Sequence, residues 1–451
     1  MMGQHTRSES LFYYFRLEDQ VPENHLLRLI DRHVSFQFVR EKLRDSYSEI
    51  GRPSIDPEVL LRIVLIGYLY GVTSERKLVE ELGMHLAWRW FTGLGFDQEI
   101  PHHSTFSKNR HGRFHESKVF RELFEEVVRR CTEVGLIEGD HLSIDGSFIE
   151  ANASTLSRIP REQLEEVAHV KRNVREYLAD LERQNPAEVE IRPQLKISTT
   201  DPDATYHSKG DRPADLGYFD NYLVDNGSCV IVDVEATPAR LSQESAAGRE
   251  MIDRSSQKRG QFPLSLAADA GYGTGEFLAW LEERGITSYI PLREYHPVPK
   301  GPFYGIEKFR FDPNTNSYQC PGGKQLNYIG VKVRSRSYIY RATPKKCQDC
   351  ALKMQCTGAQ FKQLIVHMHD AARQRARERT KQPIFRIAQR QRRKVEALFA
   401  ELKNQIGLRR TRLRMMKYVR EQFLLAATAQ NLKRLVRFMS TRSSQTSPVP
   451  S

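Results

Sequence analysis

A carboxylate set inside an apolar strand constrains a chain strongly, and residues 142–151 hold one. Leu142, Ile144, Phe148 and Ile149 are apolar or β-forming, with turn signals on both sides, so the stretch predicts a strand with Asp145 inside it. An ionised carboxylate taken out of water is costly unless a partner or a metal ion holds its charge. The plainer reading is a strand-end Asp in an Asp145–Gly146 turn. Taken alone, the stretch favours the plainer reading.

Two further carboxylates shift the balance. Residues 264–269 predict a strand ending in Asp269, followed by a turn rich in glycine. Farther on, Val395, Leu398, Phe399, Leu402 and Ile406 recur at helical spacing and predict a core-facing stripe. Arg392, Glu396 and Lys403 form a second stripe along one edge of the first. By itself that helix is explained by an Arg392–Glu396 pair at i,i+4, worth about 0.3–0.5 kcal/mol. Glu401 is a rival to Glu396, but it lies on the other side of the helix from Arg392 and Lys403. As a set, the three carboxylates suit phosphodiester hydrolysis and transfer, which need two cations about 4 Å apart flanking the phosphate. Mg²⁺ takes oxygen ligands and keeps several waters, so a few carboxylates suffice. Arg and Lys beside them would hold the substrate phosphates.

Charge points to the same class of partner. The chain carries a net +13, and residues 371–440 alone hold 20 Lys/Arg against 4 Asp/Glu, an excess of 16 that leaves about −3 elsewhere. A local basic patch suits a polyanion such as DNA or RNA; a solvated basic helix is the alternative. The 451 residues are enough for two or three domains. No apolar run is long enough for a transmembrane helix, and residues 1–16 lack the apolar centre of a signal peptide, so the expected location is the cytoplasm.

Along the chain, residues 24–38 show helical apolar spacing. Asp56 and Pro57 are placed to cap a helix that ends near Gly71. Short helices over 74–82, 85–91 and 105–114 follow, joined by tight turns, and predict either a helix-turn-helix module or a plain helical bundle. Lys108, Arg110 and Arg113 lie on the last of them. Another amphipathic helix covers 118–134. Residues 218–225 and 228–237 predict a hairpin around Asn226–Gly227, and the strand, helix and strand over 264–292 suit a mixed α/β sheet. Residues 295–368 read as an insertion. It contains Cys320, Cys347, Cys350 and Cys356, and Cys347-x2-Cys350 is a metal-type knuckle. A structural Zn²⁺ site stands slightly ahead of reduced, metal-free thiols; the six-residue gap from Cys350 to Cys356 weakens it. Cys131 and Cys229 read as small core residues. Residues 370–406 and 422–439 predict basic helices, and the Ser/Thr/Pro-rich tail predicts disorder.

These residues resemble the bacterial insertion-sequence transposases of the DDE class, and within it the group numbered eleven-eighty-two. Arg392, Glu396 and Lys403 match the spacing Tyr-x2-Arg-x3-Glu-x6-Lys, with Gln389 at the Tyr position as a departure. Ser-Ile-Asp145-Gly-Ser and Ala-Asp269-Ala-Gly-Tyr match the two Asp motifs; Gly407-Leu408-Arg409-Arg410 and Asn431-Leu432-Lys433-Arg434-Leu435 also resemble the family, as does the segment from Arg52–Pro53 to Phe114. The likeness implies a mixed α/β ribonuclease-H-like core with an all-α N-terminal domain and a Cys-containing insertion. The corresponding segments are 1–50, a helical DNA-binding domain over 51–135, the core over 136–294, the insertion over 295–369, the core's C-terminal helices over 370–440, and a disordered tail over 441–451. It implies Asp145, Asp269 and Glu396 as catalytic ligands of Mg²⁺ or Mn²⁺. It implies Arg392, Lys403, Arg409, Arg410, Lys108, Arg110 and Arg113 on DNA, and a homodimer handling two element ends. The expected reaction is cleavage at insertion-sequence ends followed by strand transfer into double-stranded target DNA. The alternatives are a catalytically inactive DNA-binding protein or repressor, and a nuclease that stops after hydrolysis.

Overall fold

A computed structural model of the chain describes residues 14–47, 50, 54–184, 196–207, 213–239, 243–293, 303–333 and 336–446. Arg52 and Pro53 lie outside them. In chain order the elements used below are α1 (Leu26–His33), α2 (Pro57–Leu69), α3 (Glu75–Met84), α4 (Leu86–Thr92), α5 (Ser104–Asn109), α6 (Val119–Glu133) and β1 (His141–Glu150). They continue with β2 (Thr205–His207), β3 (Asp215–Asp225), β4 (Ile231–Pro238), β5 (Ser265–Ala267), α7 (Gly275–Glu283) and β6 (Thr287–Tyr289). A run of short strands follows: β7 (Arg310–Asp312), β8 (Ser317–Gln319), β9 (Gln325–Lys332), β10 (Ser337–Arg341) and β11 (Gln363–His367). Four helices close the chain: α8 (Asp370–Thr380), α9 (Pro383–Arg392), α10 (Lys394–Asn404) and α11 (Met416–Thr446). The fold is mixed α/β. It divides into two compact units: 1–139, 145–255 and 393–451 form the first, 140–144 and 256–392 the second.

In the first unit, local signals set the helices. Asp56 accepts a hydrogen bond from the Glu58 N–H at 2.8 Å and Pro57 opens α2, as the sequence predicts. Most of α2 is apolar and buried. α1, α2, α3, α4 and α6 share one apolar core with β3, β4, α10 and α11. β3 and β4 pair antiparallel from Tyr218↔Pro238 to Val224↔Ile231, with a bulge at Leu223/Val224. Their loop is wider than the Asn226–Gly227 signal predicts. The left-handed residue is Cys229 (φ 60°), and Asp225 ties the loop by accepting from the Ser228 N–H and hydroxyl at 2.8 and 2.7 Å. From Asp145 onward β1 lies beside β3.

α11 is the core's axis: Phe423, Ala426, Ala427, Ala429 and Leu432 are fully buried. So are three of its amides, and each is used. Gln422 accepts from the Arg412 and Leu413 N–H groups at 3.0 and 3.1 Å. Gln430 donates to the Leu398 carbonyl at 2.8 Å and accepts from the Tyr222 hydroxyl at 3.0 Å. Asn431 satisfies both backbone groups of Ile231, at 2.9 and 2.8 Å, as a neighbouring strand would. The helix runs past Ser440 to Thr446. Its start is held by two carboxylates: Asp201 accepts from Met415 N–H at 2.9 Å, and Asp203 from Met416 N–H at 2.8 Å.

Two glycines let the loop after α2 cross the end of α10. Gly71 (φ 68°) could carry no side chain, because a Cβ would overlap the Gln405 carbonyl oxygen. Gly407 (φ 76°) faces it, and a Cβ there would stand 3.4 Å from the Gly71 carbonyl and 3.0 Å from Thr73.

The second unit contains the start of β1, paired in parallel with β5 in the register His141↔Ser265, Leu142↔Leu266, Ser143↔Ala267. β5 pairs in parallel with β6, and α7 supplies the crossover between them. α8 is fastened to α7 by Arg375 and Arg379, both on Glu282, with Arg379 reaching 2.8 Å. The insertion forms its own antiparallel sheet in the order β11-β10-β9-β8-β7. Its small core is Phe309, Leu326, Tyr340, Ala342, Leu364 and Val366.

Burial lifts the Asp201 carboxyl to about 6, even though the Tyr218 hydroxyl and Met415 N–H donate to it. The folded state therefore holds this proton more tightly than the unfolded chain. Its stabilising contribution is full below the ordinary carboxylate value and is lost as pH rises from about 4 to about 6. Urea melts should show Asp201→Asn flattening that fall by roughly 3 kcal/mol; an unaltered slope between pH 4 and 6 refutes it.

Candidate functional site

Asp145 stands mid-way along β1, half-buried, and accepts the Gly146 N–H at 2.8 Å. Gly146 is there for space. A Cβ would lie 2.7 Å from the Asn221 carboxamide oxygen, and Asn221 cannot easily yield, since its amide donates to Glu235 O at 2.9 Å and Thr237 Oγ1 at 3.1 Å. Asp269 lies two residues beyond β5. It caps the short turn Ala270–Tyr272 by accepting the Gly271 N–H at 2.8 Å, and it is half-buried. Glu396 is exposed on the first turn of α10; the apolar stripe of that helix, Val395, Leu398, Phe399 and Leu402, is buried as its spacing predicts. Asp145 and Glu396 belong to the first unit and Asp269 to the second. Among the described residues no three His, Cys, Asp or Glu are grouped so as to hold a metal ion.

Gln389 has a defined task within the second unit. Its amide donates to the carbonyl of Ala268 at 3.0 Å and to that of Tyr289 at 2.6 Å. Its oxygen accepts from Arg392 Nε at 3.2 Å. The end of α9 is thereby pinned to the ends of β5 and β6, at the residue just before Asp269. A tyrosine hydroxyl in this place could donate only one of these bonds.

The expected phosphate-binding cations divide into two sets. Lys108, Arg409 and Arg410 are exposed; Arg409 leans on Asn404, and Arg410 pairs with Glu150 at 3.3 Å. Arg110 is buried and paired with Glu75 at 2.5 Å. Arg113 covers the Tyr47 ring at 3.9 Å and donates to Ser46 O at 3.0 Å. Lys403 is half-buried, and its charge acts on Asp220.

Asp220 escaped the sequence reading. It is fully buried on β3, and burial pushes its carboxyl well above the ordinary range against the pull of Tyr222 and Lys403. Its only sequence signal is a carboxylate in the aromatic run Tyr218–Tyr222. Asp233 and Glu235 on β4 escaped it too. Arg254 joins both, at 2.8 and 2.9 Å; burial opposes the Arg254 charge, but the two carboxylates outweigh it and raise its pKa.

The four cysteines of the insertion line one cavity of about 20 Å³. A Cβ on Gly322 would stand 3.3 Å from Cys350 Sγ and 3.7 Å from Cys320 Sγ, so that glycine lets two thiols approach one point. Burial raises the Cys356 thiol, and Lys362 works the other way.

If Gln389 carries the junction described above, Gln389→Ala strips partners from two backbone carbonyls and should cost about 1–3 kcal/mol in urea melts. A loss no larger than that of an exposed substitution such as Arg390→Ala would show the junction to be incidental.

Two family profiles match the chain: "Transposase domain (DUF772)" over residues 15–112, and "Transposase DDE domain" over residues 319–436. The second contains Glu396 and the four cysteines. No curated protein matches. Among solved structures, the cryo-EM structure of the piggyBac transposase synaptic complex with hairpin DNA is similar at 10% identity. It covers 94% of this chain and 76% of that one with a TM-score of 0.36, too low to bear on the site. The two matched transposase domains, one in each half of the chain, support the function of a DDE transposase.

Proposed function

We propose that this transposase cuts DNA at insertion-sequence ends and joins the freed 3′-hydroxyl to target DNA, with Asp145, Asp269 and Glu396 as its acidic set. We read its core as ribonuclease-H-like, preceded by an all-α domain, and its relatives as the eleven-eighty-two group. The support is the parallel register: Ser143 and Ala267 are partners, and Asp145 and Asp269 each follow by two residues. Gln389 adds to it by fixing the backbone before Asp269 to the helix that leads into α10. The three side chains offer hard carboxylate oxygens, the donor type that Mg²⁺ or Mn²⁺ takes. When bound, such ions would activate the attacking oxygen and steady the leaving one. The chain's own part is to hold the phosphates, for which Lys108, Arg409 and Arg410 are the exposed donors. Two element ends must be handled together, so the working form is a homodimer on DNA in the cytoplasm; among the described residues no helix is long and apolar enough to cross a membrane.

With Mg²⁺ and DNA bearing the element's ends, the chain should release 3′-hydroxyl ends and join them to a target. Asp145→Asn, Asp269→Asn and Glu396→Gln should each abolish both steps and leave DNA binding intact. Full activity in Asp145→Asn overturns the assignment. Cleavage without joined products marks a nuclease, and binding without cutting at any metal concentration marks a repressor.

We also propose that a structural Zn²⁺ would draw together Cys320, Cys347, Cys350 and Cys356, which line one cavity but are not grouped as ligands in this structure; four thiolates suit that ion. Elemental analysis should find about one Zn²⁺ per chain, lost in a Cys347→Ser, Cys350→Ser double variant. A zinc-free wild-type chain purified without chelator rules the site out.

A further inference from the structure

The first unit holds a cavity of about 410 Å³ between the end of α2, the first turn of α3, α5 and the segment before α11. That volume lies within the roughly 300–1,000 Å³ of pockets that take small organic ligands. Its lining is cationic: Arg76, Arg110 and Arg412 face a single carboxylate, Glu75, which is already paired with Arg110 at 2.5 Å.

Arg412 is the informative side chain. Its guanidinium carbon stands over the Tyr68 ring, 4.4 Å from the centroid, and its two terminal nitrogens donate to Val72 O at 3.2 Å and Ile406 O at 3.0 Å. Its Nε is buried with no hydrogen-bond partner, and no carboxylate forms an ion pair with it among the described residues. A half-buried guanidinium with no carboxylate in an ion pair with it carries a desolvation cost that an anion would offset. The backbone carbonyls fix its plane; burial and the neighbouring Arg110 work against its charge, and only the more distant Glu75 carboxylate and the Tyr68 hydroxyl favour it. Arg76 stands at the exposed mouth of the same cavity with no partner among the described residues. The first turn of α3, whose free N–H groups favour anions, adds to the field. Val72 and Leu413, both half-buried, supply an apolar floor beside the Arg412–Tyr68 pair.

We propose that this cavity receives one nucleotide unit of a DNA strand, its phosphate drawn to Arg412 and Arg76 and its sugar and base laid on the apolar floor. The proposal rests on the transposase reading for the identity of the strand. A free mononucleotide would offer the same chemistry, and the test separates the two. Binding of a fluorescein-labelled duplex with a short single-stranded end to the full-length chain is followed by anisotropy at several salt concentrations, in EDTA. Arg76→Glu reverses the charge at the exposed mouth, and Ser107→Tyr fills the cavity from α5. Each should weaken duplex binding about tenfold, and Arg76→Glu should also lower the salt slope by about one or more. Deoxyadenosine monophosphate should compete with the duplex, and deoxyadenosine should not. Glu307→Gln, an exposed side chain outside the cavity and the acidic set, serves as the control and is expected to bind as the wild type does. If both pocket variants bind the duplex like the wild type, the proposal fails, even if cleavage is intact. If they lose only the mononucleotide, the cavity is a free-nucleotide site and the strand assignment fails.

Discussion

The parallel pairing of three residues at the start of β1 with three in β5 is the constraint on which the functional reading depends. Parallel strands cannot be joined by a tight turn, so the chain must travel from residue 150 to residue 265 before the second strand arrives. That detour builds β2, β3 and β4. The register is set where Leu142 and Leu266, both buried, stand as partners, while Asp269 lies beyond the strand and is fixed by its own cap on Gly271. A slip of one residue in β5 would turn Leu266 out of the core.

Much of this was legible. The Asp56–Pro57 start of α2, the buried stripe of α10 and the strand around Asp145 all follow from local chemistry, because each depends on neighbours within a turn or a strand. What stayed hidden depends on residues far apart in the chain. Gln389 looks like a defect in a motif until its amide is found on two carbonyls about a hundred residues earlier. Arg110 and Arg113 look like DNA contacts in the sequence, yet their guanidinium groups are engaged by Glu75, Ser46 and Tyr47. Asp220 gives no local sign that it faces a lysine from α10.

The same distinction revises the meaning of the basic C-terminal stretch. Counted along the sequence it is an excess of 16 positive charges. In the fold several of those cations are internal ties: Arg375 and Arg379 on Glu282, Arg420 on Glu235, Arg434 on Glu401 and Lys417 on Glu176. Each meets a carboxylate from a distant element or the facing helix. The field a polyanion would feel is therefore weaker than the count along the sequence, since these pairings, and that of Arg410 with Glu150, offset much of the charge.

The crossing of Gly71 and Gly407 has a consequence for how such chains can diversify. Both backbones sit in the left-handed region; a methyl group at Gly71 would overlap the Gln405 carbonyl, and one at Gly407 would press on the Thr73 side chain. The helical N-terminal segment and the end of the Glu396 helix are thus matched surfaces. A side chain at position 71 would push the two apart. A substitution at residue 71 is therefore felt at the end of the Glu396 helix, although more than three hundred residues of chain separate them.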